Sequence, residues 1–582
     1  MPAKRFTSIP YFEEGKIGEG IALILLGLMG MLPFLQWKHY YPLTDFYTEW
    51  VAALLGFCAL LSAFRILHEI PRIAFVPLLL IVLVWLQYAL GMIGYIQHAA
   101  LVSLYLLWGA LLAMLGYALK REIGLQKIIP VLAWFILAGG VLSGIAAVMQ
   151  HYLIPSFIDH FITPDPSPTV FGNLAQQNHF SDYMALSIAS LLYLASSKRI
   201  NPIVALPIGL FMLFTLALSG SRSAWLYLGA MTMLGLLFCR GNRTLLYGSL
   251  MLLPAFLVMQ LAPHLHFISG HGAVTSGQRL VEKDSGIRLY LWHEAWMMFL
   301  KAPILGVGFG EFAWHHFEYG PLFNNSRISG LYNNSHDIVM NLLAETGISG
   351  CLIVFGGILL WARRIDISRD SHAFWLFSLL SVLALHSLDE YPLWYAQFLG
   401  LFMLLMGLTE SSAFRIPFQK GIVAILLVLG SYVLVDLMRD YRVLEGLLFP
   451  DYQGGKHQLP PDKLFDRLDH FNRYTLLRPY VEFSLAGMLP INSIDLDKKL
   501  ELSNRAVHYA PAGMILFRDA AFLALAGKSK EAKLEIERAS CASPEDILEA
   551  GKLYLTLARS NPRQFMPLVV EVGTQVKLRN IH

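Results

Sequence analysis

The 582-residue sequence is 56% hydrophobic and only 15% charged, with a mean hydropathy of +0.53. That is far more apolar surface than a water-exposed globule can hide, which excludes a soluble enzyme and requires a lipid bilayer as part of the solvent. The net charge of +3, scattered among hydrophobic runs, excludes the basic face that nucleic acid binding needs.

Lys4, Arg5 and Lys16 precede the first apolar run, and no small-residue cleavage site closes it, so it is expected to be a retained first span. Apolar runs of roughly 17–25 residues, enough to cross about 30 Å of hydrocarbon, lie near 18–36, 50–66, 73–95, 98–118, 127–150, 180–197 and 201–218. Others follow near 224–239, 244–262, 337–361, 373–388, 391–410 and 420–436. The expected fold is therefore all-α: a polytopic transmembrane bundle of about 13 spans over 1–437, with a helical domain over 438–582.

Lys and Arg resist translocation, so the loops that carry them are expected to stay cytoplasmic. The N-terminus, Arg65/Arg72, Lys120/Arg121/Lys127, Lys198/Arg199, Arg240/Arg243, Arg363/Arg364/Arg369 and Arg415/Lys420 mark every second connection. Between them, 151–179 carries no Lys or Arg and the turn at 219–223 carries only Arg222. These loops and the tail are expected on the outer side, the periplasm of a bacterial inner membrane.

Two connections exceed what a connector needs, and long loops usually carry function. One is 151–179, with Pro155, Pro164, Pro166 and Pro168; the other is 263–336. The latter holds an amphipathic run, Tyr290 to Leu300, whose Trp292, Trp296, Phe299 and Leu300 suit the lipid surface. The tail is charged and helix-forming. Within it, 515–540 reads as two amphipathic helices turning at Gly527 with Ala532 at the close-packing position, like one tetratricopeptide-type unit or a plain helical hairpin. Cys58, Cys239, Cys351 and Cys541 show neither metal-ligand nor disulfide spacing and read as packing residues.

On this map the polar residues that need explaining share the outer face. They are Gln176, Gln177, Asn178 and His179 before the sixth span, Arg222, Arg279 and Arg288, then Asn333, Asn334, His336 and Asp337, and finally Asp389, Glu390 and Tyr391. Ionisable groups at a membrane site are functional candidates by default. Arg222 sits in LSGSRSAW, a Ser/Gly-rich turn running into a helix, where backbone N–H groups and a guanidinium suit a phosphate. Snorkelling to lipid headgroups is the alternative. His336 in YNNSHD is a candidate general base, with Asn333, Asn334 and Ser335 as helix caps. Tyr391 is either an interfacial aromatic or part of a pocket with Asp389 and Glu390. GVGFGEF (306–312) follows no expected strand and reads as a tight turn rather than a dinucleotide site. Convergence of Asp182, Asp337, Asp389 and Glu390 on a metal is a further alternative.

FGNLAQQNHFSDYMAL (171–186), LSGSRSAWLYL (218–228), GIRLYLWHEAW (286–296), GVGFGEFAWHHF (306–317), NNSHDIVMNLLAETGISG (333–350) and HSLDEYPLWYAQFLG (386–400) together resemble the bacterial O-antigen ligase and Wzy polymerase superfamily. Within it they resemble the protein O-oligosaccharyltransferases called PglL, which the tail also suits. The resemblance implies a GT-C-like membrane transferase without metal or other cofactor. It would move a glycan from undecaprenyl diphosphate to Ser or Thr of a periplasmic or pilin-like protein. Carried over by motif, Arg222 and Arg288 would hold the diphosphate, His336 would be the essential catalytic residue, and Gln176 and Tyr391 would support activity. Arg279, Asn178, His179, Asn334 and Glu390 are expected to contact substrate. Gln177 and Ser335 depart mildly from the family pattern. A lipopolysaccharide O-antigen ligase or a Wzy-type polymerase would use the same donor site with another acceptor. A transporter of lipid-linked glycans would need charged or broken helices near mid-membrane, which are not evident in the sequence.

Overall fold

The computed structural model describes residues 16–164, 169–239, 241–264, 286–323, 330–365, 369–415, 419–454 and 459–579. Helices dominate it: α1 (Ile17–Met29), α2 (Phe46–Ser62), α3 (Phe75–Ala89), α4 (Ile96–Ile123), α5 (Leu125–Tyr152), α6 (Gln177–Ser196), α7 (Pro202–Leu218), α8 (Ser223–Phe238) and α9 (Arg243–Met259). After the large loop come α10 (Ile287–Lys301), α11 (Phe312–Phe323), α12 (Ile338–Ala362), α13 (Ser371–Ser387), α14 (Ala396–Thr409) and α15 (Gln419–Leu448). The tail is α16 (Pro461–Asn472), α17 (Arg478–Met488), α18 (Leu496–Tyr509), α19 (Met514–Leu525), α20 (Ser529–Ala542), α21 (Ile547–Ser560) and α22 (Pro562–Arg579).

A helix lies within every expected span. Ile17–Leu35, Arg72–Ala89, Ile96–Ile123, Leu125–Tyr152, Ile338–Ala362 and Gln419–Leu448 are long and apolar enough to cross a membrane, and α2, α7, α8, α9, α13 and α14 are shorter apolar helices. This is an all-α membrane protein. One helix boundary differs from expectation. Pro392 opens a short 3-10 turn, Pro392–Trp394, so α14, in the span expected at 391–410, starts at Ala396. The last apolar helix runs on to Leu448, through the expected domain boundary at 437.

The chain divides into two compact units. The first comprises Met1–Leu78, Tyr105–Lys283 and Gly356–Val435. Its centre is α6, which packs on α5, α7, α8, α9 and α13. Helix α6 is buried along nearly all its length, which explains how a membrane helix tolerates Ser181, Asp182, Ser187 and Ser190. Two of them bond inside the bundle: Ser187 Oγ donates to Ile136 O at 3.0 Å, and Trp375 Nε1 donates to Ser190 Oγ at 2.9 Å. Gly140 of α5 lets that backbone approach, since a Cβ there would lie 2.1 Å from Ser187 Oγ.

The cation-bearing connections gather at one end of this unit. Lys16 Nζ donates to Glu122 O at 2.7 Å, and Glu69 pairs with Arg121 at 2.5 Å and with Arg415 at 2.9 Å. Lys120 Nζ donates to Glu410 O at 2.8 Å, and Ser411 Oγ donates to Arg364 O at 2.8 Å. A two-residue antiparallel pairing, Ile70–Pro71 with Ala413–Phe414, closes that end. Asn242 Nδ2 donates to Ser196 O at 3.0 Å, so the C-terminal end of α6 belongs there too. Its N-terminal end, some 30 Å away by helix rise, is the opposite one.

The second unit comprises Leu79–Leu104, Asp284–Phe355 and Asp436–His582. Successive tail helices pack as neighbours from α16 through α20, and α21 pairs with α22. The expected hairpin is present as α19 and α20: Gly527 turns it at φ +77° and Ala532 is fully buried. Helix α10 buries Leu291, Ala295 and Met298 against Val307, Phe312 and Ala344. It exposes Trp296 and Leu300, while Trp292 and Phe299 are half-buried.

Candidate active site

In the first unit the N-terminal end of α6, the 219–223 turn and the 389–391 turn are tied by side-chain hydrogen bonds. Gln176 is the N-cap of α6, its Oε1 accepting from the His179 amide at 2.6 Å. Asn178 Nδ2 donates to Glu390 Oε1 at 2.9 Å, and Ser221 Oγ donates to Asn178 Oδ1 at 2.9 Å. Ser223 Oγ donates to Asp389 Oδ2. Both neighbours of Arg222 are thus anchored, and the half-buried Arg222 itself is the residue before α8. Arg222 thus stands at a helix N-terminus, a position that favours an anion.

Tyr391 stacks on Tyr395 with ring centroids 5.8 Å apart. The buried His179 ring lies edge-on to Tyr395 at 4.8 Å and contacts His386 at 5.5 Å. The structure therefore brings together Gln176, Asn178, His179, Arg222, Glu390 and Tyr391.

The second unit carries Arg288, Asn334 and His336. Arg288 lies in the first turn of α10 and is half-buried. His336 stands just before α12 at φ +53°, uncommon for a non-glycine residue. Surrounding bonds hold it there: Asn334 Oδ1 accepts from the His336 amide at 2.9 Å, and Asn341 Oδ1 accepts from the Ser335 amide at 3.1 Å. Ser335 Oγ donates to Asp337 O at 2.9 Å. The α12 cap is Asp337, whose Oδ1 accepts from Met340 N at 2.8 Å, rather than the Asn and Ser residues before it. Asn334 is buried and both ends of its amide serve the turn, Nδ2 donating to Asn333 Oδ1 at 2.7 Å. Such a backbone costs strain, and these bonds hold it in place. Arg279 lies outside the described residues.

Helix α12 is itself fixed by the glycine-rich turn, which follows no strand. Val307 N donates to Ala344 O at 2.9 Å and Gly308 N to Glu345 O at 3.1 Å, where α12 kinks at Gly347. The fully buried Gln87 joins them, Nε2 donating to Leu305 O at 2.6 Å and to Glu345 O at 2.7 Å. A second buried contact, His316 Nδ1 with Glu294 Oε2 at 2.6 Å, ties α11 to α10. The His316 ring abuts Tyr332 at 5.5 Å, and Tyr332 abuts His336 at 6.2 Å.

Sequence reasoning missed Ser221, Ser223, Gln87, Glu294 and His316 as supports of the site. Ser221 and Ser223 flank Arg222, which was the available signal; nothing in the sequence marks Gln87.

Residues 170–195 match the family described as protein glycosylation ligase, 207–355 match O-antigen ligase, and 374–554 match virulence factor membrane-bound polymerase, C-terminal. A general O-oligosaccharyltransferase of Acinetobacter baylyi is 26% identical over 452 residues, covering 73% of this chain and 76% of that protein. A ComP-specific O-oligosaccharyltransferase of the same organism is 24% identical over 356 residues, covering 60% of this chain and 63% of that protein. With its ordered motifs on this helical scaffold, the chain is similar to O-oligosaccharyltransferases over most of its length and carries segments matching the protein glycosylation ligase and O-antigen ligase families.

Proposed function

We propose that the chain transfers an oligosaccharide en bloc from undecaprenyl diphosphate to Ser or Thr of a periplasmic or pilin-like protein. The observation that carries this reading is the anchored arginine turn: Arg222 at a helix N-terminus, with Ser221 and Ser223 bonded to Asn178 and Asp389. Arg222 and Arg288 bind the diphosphate and neutralise the charge that grows on it. The acceptor hydroxyl oxygen bonds to the anomeric carbon, the bond from that carbon to the diphosphate oxygen breaks, and the electron pair leaves with the diphosphate. His336 accepts the hydroxyl proton. Diphosphate is already a good leaving group, so no general acid of the glycosidase type is needed.

The tail and the site face the periplasm in this reading, and the bundle of about 13 spans crosses a bacterial inner membrane. The gathering of cationic connections at the end of α6 away from Arg222 supports that orientation. The helical tail, with one hairpin like a tetratricopeptide unit, offers the acceptor protein a surface. A ligase or polymerase acting on polysaccharide is the second reading, favoured by the matches at 207–355 and 374–554. Co-expression with a lipid-linked glycan pathway separates the two. Sugar on protein is expected, whereas sugar on lipopolysaccharide or longer glycan chains with none on protein would overturn the protein acceptor.

A further inference from the structure

We propose that Asp182 and His386 form a positioning pair that sets the register between α6 and α13, and through it the placement of Glu390 and Tyr391 beside Gln176 and Asn178. The role rests on the transfer reaction proposed above. His386 Nδ1 meets Asp182 Oδ2 at 2.5 Å, and both side chains are wholly buried.

The two residues stand four positions from a second contact. Asn178 and Asp182 share one face of α6, one turn apart. Their partners, Glu390 and His386, are also four apart but in the opposite sense, so the helices run antiparallel and the contacts form two rungs. A third contact, Ser190 with Trp375, keeps the two helices side by side toward the other end. His386 also reaches the outer turn through its backbone, its carbonyl accepting from Asp389 N at 3.1 Å and Glu390 N at 2.8 Å. A shift of α13 along α6 would therefore carry Asp389, Glu390 and Tyr391 with it.

Stability does not explain the pair. Apolar residues of similar size commonly replace a buried polar pair at no loss, and the best-attested use of such a pair is to fix register. Here the inner pair lies one turn beneath the residues that carry the candidate chemistry. His386 Nε2, Asp182 Oδ1 and the Tyr227 hydroxyl are buried without protein partners, so the contact between His386 and Asp182 is the main polar restraint at this level.

The test uses the purified full chain with a lipid-linked oligosaccharide donor and an acceptor protein, measuring kcat, donor KM and thermal unfolding. Asp182→Asn keeps an acceptor for the His386 N–H and is expected to retain most of kcat. The double variant Asp182→Leu/His386→Phe is expected to insert and to melt no lower than the unaltered chain. Its kcat should nevertheless fall about a hundredfold, the scale of an ångström-level misplacement, with donor KM holding. An Asp182→Asn chain as inactive as the double variant would overturn positioning in favour of a role for the charge. A double variant with unaltered kcat, or one that fails to fold, would overturn it in favour of no role or of plain structural support. If the unaltered chain transfers nothing to protein, the reaction assignment falls, and this role with it.

Discussion

Tyr95 Oη donates to Glu482 Oε2 at 2.8 Å, tying the connection between α3 and α4 to the first helical pair of the tail. The Glu482 side chain is fully buried and also meets Arg478 at 2.8 Å and Arg505 at 3.0 Å. Burial alone would push this carboxyl up, but Arg478, Tyr95 and Arg505 together hold it below the usual carboxylate range. The contact joins the 90–95 turn to the tail.

Tyr95→Phe removes one hydrogen bond to a buried charge and leaves the arginines in place. The expected cost is about 1.5–3 kcal/mol, read as a lower unfolding midpoint of the full chain. The pH dependence has a definite sign. The Glu482 carboxyl is depressed in the folded chain, so its contribution is present above the ordinary value of 4.5 and is lost as pH falls below it. A Tyr95→Phe midpoint equal to that of the unaltered chain would remove this contact from the forces docking the tail.

The opposite sign is expected deeper in the tail. Asp519 of α19 and Glu535 of α20 are buried, and desolvation pushes their carboxyls up to about 6 and about 8. The folded tail holds these protons more tightly than the unfolded chain does, so its stability falls as pH rises from about 4 to about 8. Glu535→Gln should flatten that slope and raise protection at pH 8, read by hydrogen exchange in the peptides spanning 514–542. A steeper slope in the variant would show that Glu535 is ionised in the fold.

Sequence periodicity and loop charge were enough to find the apolar helices, because hydropathy runs and Lys/Arg bias are local properties. The residues around Arg222 were legible for a similar reason: a cation in a loop otherwise free of Lys and Arg stands out. What was not legible depends on pairings far apart in the chain. Asp182 looked like an open carboxylate until His386, more than two hundred positions later, proved to be its partner. Gln87 resembles any polar residue near a span end, yet it joins the glycine-rich turn to the kink in α12. The length of α15 was not legible either, because the helix continues without a break from apolar into charged sequence.

Gly306 tests whether that kink matters. Its φ is +72°, and a Cβ there would lie 2.2 Å from Glu345 C, a backbone atom that cannot swing aside. Gly306→Ala is expected to push the turn off α12, disturb the approach to His336 and lower both the unfolding midpoint and transfer. Unchanged transfer would show that the placement of His336 does not depend on this contact.

Chelation is expected to leave transfer unchanged. The carboxylates that the metal alternative would need have separate protein partners: Asp182 with His386, Asp337 with the Met340 amide, Asp389 with Ser223, and Glu390 with Asn178. Each spends hydrogen-bonding capacity on positioning. The arginines supply the positive charge that a divalent ion would otherwise bring. Activity lost on exhaustive chelation and restored by a divalent ion would contradict this.

Arg222 and His336 give the sharpest kinetic test, because they are assigned to different parts of one step. Arg222→Lys keeps the charge but loses the planar fork that matches phosphate oxygens, so it should not restore function. Arg222→Ala and His336→Ala should each lower kcat by about a hundredfold or more, the scale of removing one stabilising donor. If proton acceptance and charge neutralisation serve the same transition state, the two effects will not multiply. The double variant should then be little worse than the poorer single one, as for residues that act as a unit. Effects that multiply fully, measured as kcat on the same donor and acceptor, would mean that the guanidinium and the imidazole serve separate steps.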